Sequence, residues 1–268
     1  MTFEIPTCFV ALFDIVGFKA MRQKLGTAGL MQKFERSALP MIQYSAAGKF
    51  KHEIRGERQF SVPDFDVSSL GYRVFSDTVI YWTQDDTLLS FLKIVFASSQ
   101  LIASGFGSNA PYRGAIGHGD FLLRGEIILG EALEDAYLWE ASQAWAGVSL
   151  TPKCEEFCRQ QDYLEQRNRL LSQASEDQAD ERLRTKILQE THRLVSYEIP
   201  LQSNPKDGAA KYSAKDGIVL DWTLNVYEGA ATKSLVNPSN SHAQHIREQT
   251  IAFEEWARRA AKDRTFGL

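Results

Sequence analysis

The run Val10-Ala11-Leu12-Phe13-Asp14-Ile15-Val16-Gly17-Phe18 constrains the fold more than any other part of the chain. It reads as a buried strand that ends on one carboxylate, with a glycine three positions later where a helix is expected to begin. An acid at the tip of a core strand is poor packing material. It suits a divalent cation, because hard cations such as Mg²⁺ take one or two carboxylates together with substrate phosphates. A second acid is expected nearby. In Gly71–Trp82, aromatic and β-branched residues flank Ser76-Asp77, which predicts two short strands with Asp77 at the hairpin tip. If that hairpin pairs beside the first strand, Asp14 and Asp77 meet at one sheet edge, as two-metal phosphoryl chemistry requires. Taken singly, each aspartate reads equally well as a turn or cap residue.

At 268 residues the chain is long enough for one sizeable core, or one core with an appendage. Its 44% hydrophobic and 24% charged residues are those of an ordinary globular protein. A net charge of −4 with no basic block argues against a nucleic-acid surface. No segment is expected to reach the length of a membrane span, and the first residues lack a leader pattern, so no membrane partner and a cytoplasmic location are expected. Three cysteines do not make a disulfide framework, which suits a reducing compartment. Cys154 and Cys158 stand four apart on an expected helix without a nearby His or second Cys pair, and are read as packing residues rather than zinc ligands.

Residues 17–47 carry helical periodicity, broken at Gly26 into a short helix and a longer one through Leu30, Phe34, Leu39 and Ile42. Residues 48–68 are polar and turn-rich, a loop or small excursion. The Asp77 hairpin follows, then a helix over Thr87–Ser104. Residues 111–121 predict a strand entering a glycine-rich turn, in which His118 is read as a turn residue rather than a base. Ile127–Gly130 is a short strand and Glu131–Trp145 a helix. The order predicts an α+β, ferredoxin-like core, a mainly antiparallel sheet with helices on one face. The expected organisation is a core over 1–150, a charged helical insertion over 151–200, a closing strand within 201–230 and a C-terminal helix within 231–268.

These residues resemble the class III nucleotide cyclase catalytic domain. Phe13-Asp14-Ile15-Val16-Gly17-Phe18 looks like that family's first metal-binding signature, and Ser76-Asp77 like its hairpin carrying the second metal acid, with Ser76 where the family usually has glycine. Arg113-Gly114-Ala115-Ile116-Gly117-His118-Gly119 is similar to the next strand. The matches cover about residues 8 to 145. The purine-reading positions depart, with Arg73 and Ile127 in their place, and Glu134 and Leu138 stand where the family has its transition-state Asn and Arg. That variant pattern is closest to the bacterial Pycsar antiphage pyrimidine cyclases, whose late motif resembles Gly130-Glu131-Ala132-Leu133-Glu134-Asp135-Ala136-Tyr137-Leu138-Trp139-Glu140.

The resemblance implies conversion of UTP to 3′,5′-cyclic UMP and pyrophosphate with two Mn²⁺ or Mg²⁺ ions, by a head-to-tail homodimer whose product is read by a separate effector. Asp14 and Asp77 would hold the ions, joined by the Ile15 carbonyl. The amides of Val16, Gly17 and Phe18 would face phosphate at a helix N-terminus. Arg73 would select the base. A guanidinium only donates, so uracil's carbonyls suit it and the exocyclic amines of cytosine and adenine do not. UTP ranks first, with CTP and GTP behind; a salt bridge away from the pocket is the other reading of Arg73. Arg113 either pairs an acid beneath the sheet or neutralises transition-state charge. Tyr137 and Glu140 are assigned to a dimer seam. A cytidylate cyclase, and a degenerate sensor or scaffold that keeps the fold without turnover, are the alternatives.

Overall fold

The strand that opens the chain's core, β1 (Thr7–Ile15), is apolar along nearly its whole length because both of its faces are covered. Phe9, Ala11, Phe13 and Ile15 enter one core, while Cys8, Val10 and Leu12 enter smaller clusters on the opposite face. Successive strand side chains point to opposite faces, so no polar alternation survives. The computed structural model describes residues 5–46, 50–55, 58–63, 70–163, 194–203, 211–235 and 240–265.

From β1 the chain runs through α1 (Phe18–Lys33), a π-helical turn (Phe34–Ala38) and α2 (Leu39–Ala46). A separate hairpin, β2 (Phe50–Arg55) with β3 (Arg58–Pro63), precedes β4 (Gly71–Phe75) and β5 (Thr78–Trp82). Then come α3 (Leu88–Gly107) and β6 (Tyr112–Asp120). Strands β6, β1, β5 and β4 are neighbours in that order, and every pairing is antiparallel. This is the α+β, ferredoxin-like arrangement the sequence predicts. Gly26 breaks α1 as expected, with φ 66° and ψ 173°.

The remaining elements are a hairpin of β7 (Leu122–Arg124) and β8 (Ile127–Leu129), then α4 (Glu131–Ser142), β9 (Val148–Leu150) and α5 (Pro152–Gln160). Beyond the residues left undescribed come β10 (Leu194–Gln202), β11 (Tyr212–Leu220), α6 (Ala230–Ser234) and α7 (Ser241–Thr265). β9 joins β6 in parallel and β11 pairs β9, which completes the seven-stranded sheet β10-β11-β9-β6-β1-β5-β4. Strand β11 lies within 201–230 and helix α7 within 231–268.

Several expectations are corrected. Helices are not confined to one face: α3 and α2 cover one side, while α4 lies across β1 and β6 on the other, its Ala136 packed on Leu12 and Ala115. The glycines of 111–121 form no turn; they sit inside β6, and they are what lets α4 approach. A Cβ on Gly117 would stand 2.3 Å from the Ala132 carbonyl oxygen of α4. The stretch 48–68 contains the β2–β3 hairpin. Residues 194–200, assigned to the charged insertion, belong to strand β10, whose Val195, Tyr197, Ile199 and Leu201 pack toward the core at a spacing of two. The rest of the predicted charged helix, 164–193, lies outside the described residues.

One correction concerns α3, which is long and apolar enough to cross a bilayer by length and composition, contrary to expectation. Here that apolarity serves the core: 67% of its most apolar window is buried inside the protein. Thr87 caps its start by accepting the Ser90 amide. Cys154 and Cys158 of α5 are buried free thiols, in agreement with a packing role.

Candidate active site

Cross-strand registers line up the site residues. Directly opposed residues in an antiparallel pair share a face. One row across the sheet is therefore Phe75, Thr78, Asp14 and Arg113, and the next is Arg73, Ile80, Leu12 and Ala115. Leu12 and Ala115 mark this as the face covered by α4. Over β1 and β6 the helix shields the rows, but over β4 it does not: Arg73 and Phe75 are exposed. The site thus opens beside the hairpin tip.

The turn that carries Asp77 is two residues long, closed by Phe75 paired with Thr78. Ser76 adopts φ 58°, the left-handed region in which glycine is at ease and other L-residues are strained. A tight turn places Asp77 back over the end of β1, against Asp14. The effect is electrostatic: the Asp14 carboxyl is raised from 3.8 to about 7, chiefly by burial, then by the charges of Asp77 and Glu140. Arg113 pulls the other way and does not balance them. An acid pair left this short of positive charge is what a hard cation relieves. Among the described residues no three His, Cys, Asp or Glu side chains group closely enough to hold an ion. Two carboxylates with substrate oxygens and water suffice for Mg²⁺ or Mn²⁺, so the donor set fits.

The other predicted residues fall into place unevenly. Ile15 buries its side chain in the α3 layer, so what it offers the site is main chain. The Val16 amide is already donated to the Pro111 carbonyl at 2.9 Å, which corrects its assignment to phosphate. Gly17 and Phe18 remain at the start of α1, where Gly17 has φ 78°. Among the described residues Arg73 donates only to its own neighbour's carbonyl, Tyr72 O at 3.3 Å, and its side chain is exposed. His118 is a buried strand residue, paired with Asp86 at 3.3 Å and stacked on Phe157, at the end of β6 away from Asp14.

Glu140 is the residue that sequence reasoning misplaced. It is no seam residue: it is 4% exposed and accepts the Arg113 Nε–H at 2.5 Å. Arg113 Nη1 also donates to the Gln143 carbonyl at 3.0 Å, capping the C-terminal end of α4. Burial is the main force raising the Glu140 carboxyl, with Arg113 opposing it. A signal was present in the sequence: Ala132, Ala136 and Glu140 recur every four residues and form the buried stripe of α4. Tyr137, by contrast, is 58% exposed.

No family model matches the chain, and no curated protein matches it. Among solved structures, it is similar to the catalytic core of a rhodopsin-guanylyl cyclase with converted specificity, in complex with ATPalphaS. The identity is 7%, the match covers 81% of this chain and 95% of that one, and the TM-score is 0.43.

Proposed function

We propose that the protein is a nucleotide cyclase that converts UTP to 3′,5′-cyclic UMP and pyrophosphate. The observation that carries this reading is the meeting of Asp14 and Asp77 over an open sheet face, with charge to spare for cations and Arg73 one row away. In the reaction the ribose 3′-hydroxyl loses its proton to water, its oxygen bonds to the α-phosphorus, the bond from that phosphorus to the β-phosphate bridge breaks, and pyrophosphate leaves. Two divalent cations held by Asp14, Asp77 and the Ile15 carbonyl would supply Lewis-acid charge there. The amides of Gly17 and Phe18 bind triphosphate oxygens at the start of α1. Arg73 donates to the uracil carbonyls, an assignment supported by its exposed head, which among the described residues bonds only the Tyr72 carbonyl.

The site belongs to a head-to-tail homodimer, a reading supported by the exposed apolar residues Phe75 at the end of β4 and Tyr137 and Leu138 on α4. The product is a second messenger for a separate effector in antiphage defence, of the Pycsar kind, in keeping with the sequence resemblance. A four-nucleotide competition with Mn²⁺, its products read by mass, tests the reading. Cyclic UMP as the main product, lost in Asp77→Ala, supports it. Cyclic CMP would shift it to a cytidylate cyclase, and no cyclic product from any nucleotide would leave a cyclase-fold sensor or scaffold.

A further inference from the structure

Arg113 stands directly across the β1–β6 ladder from Asp14, on the same face. Opposite charges so placed attract, and a long guanidinium beside a free carboxylate would settle on it. It does not settle there. Its Nε–H goes to Glu140 at 2.5 Å and its Nη1–H to the Gln143 carbonyl at 3.0 Å, both on α4. Two protein acceptors, one of them a buried carboxylate, thus hold the guanidinium at two of its three nitrogens. Its Nη2 group makes no hydrogen bond among the described residues.

We infer that Glu140 is a positioning residue that holds Arg113 off Asp14, keeping the acid pair free for cations. The inference rests on the cyclase reading for what the cations do, but its electrostatic part stands on the ion pair alone. A buried acid is costly unless paired, and Glu140 is at once paired and close enough to raise Asp14. Were its only task to cap α4, a neutral acceptor would serve Arg113 as well. A carboxylate competes with Asp14 for the same guanidinium; an amide competes far less.

Glu140→Gln tests this, with Mn²⁺ binding measured by electron paramagnetic resonance and turnover measured separately. Outer-shell partners of metal ligands typically matter about 10- to 100-fold. We expect Mn²⁺ affinity to fall roughly tenfold in Glu140→Gln, because Arg113 then occupies Asp14, and kcat to fall with it. In the metal-free protein the Arg113 Nε–H resonance should move as its partner changes. The decisive variant is Arg113→Gln/Glu140→Gln: with no guanidinium to hold back, the loss of Mn²⁺ affinity caused by Glu140→Gln should vanish. A purely structural Glu140 would lower the melting temperature and leave Mn²⁺ affinity unchanged in both backgrounds, which overturns the inference. A wild-type protein that binds Mn²⁺ but cyclises nothing would sink the cyclase reading, while the Mn²⁺ cycle would still decide this one.

Discussion

Asp14 and Arg113 face each other across the β1–β6 ladder, yet the arginine is bonded to Glu140. The strand therefore ends in an acid that lacks its obvious counter-ion. Burial and the Asp77 charge leave that acid protonated at a pH where an ordinary aspartate has long been ionised.

Removing either acid should separate chemistry from folding. Asp14→Asn and Asp77→Asn are expected to lower turnover by about 10³-fold or more while leaving the far-ultraviolet circular dichroism unchanged. In the metal-free protein at pH 8, Asp14→Asn should melt higher than wild type, since it removes a carboxylate that burial and neighbouring charges disfavour. A lower melting temperature there would contradict the charge balance described above.

The pH dependence has a definite sign. With the folded pKa of Asp14 raised from 3.8 to about 7, the folded state binds the extra proton between those values. The stability it contributes is fully present below pH 3.8 and is lost as the pH rises through about 7. The melting-temperature advantage of Asp14→Asn over wild type should therefore grow from pH 5 to pH 8. Added Mn²⁺ should stabilise wild type at pH 8 and do little for the Asn variant.

On the proposed function Arg73 reads the base, and its exposed side chain gives the fold little support. Arg73→Ala should change stability by no more than about 0.5 kcal/mol, as exposed positions usually do. Loss of a charged hydrogen bond of about 1.5–3 kcal/mol corresponds to roughly a 10- to 100-fold fall in kcat/KM for UTP, and the preference among the four nucleotides should flatten. A variant with wild-type selectivity would show that the base is read elsewhere.

Association should depend on the exposed apolar residues of β4 and α4. Leu138 is 67% and Phe75 79% exposed. A charge at the first of these, Leu138→Glu, should shift sedimentation from dimer to monomer and reduce activity in proportion. A fully active monomer would argue that each chain holds a complete site.

Much of the core was legible because its signals are local. The apolar run of β1, the flanked Ser76-Asp77 turn and the apolar face of α3 each declare their element and, for the acids, their position. The α4 layer was not legible. A glycine-rich strand looks like a turn until a helix is seen lying on it, and Glu140 looks like a surface acid until its Ala132–Ala136 stripe is seen to face the sheet. The Val16 amide failed for the same reason: its acceptor, Pro111, is 95 positions away in sequence and adjacent only in the fold.

The bare backbone at Gly117 ties this architecture to heredity. No side chain separates it from the Ala132 carbonyl, so even a methyl group would lift α4 away from the sheet. Lifting α4 moves Glu140, frees Arg113 and alters the charge felt at Asp14. A genetic screen for inactive alleles should therefore return codon 117 alongside the acidic codons, although this glycine lies outside the proposed site.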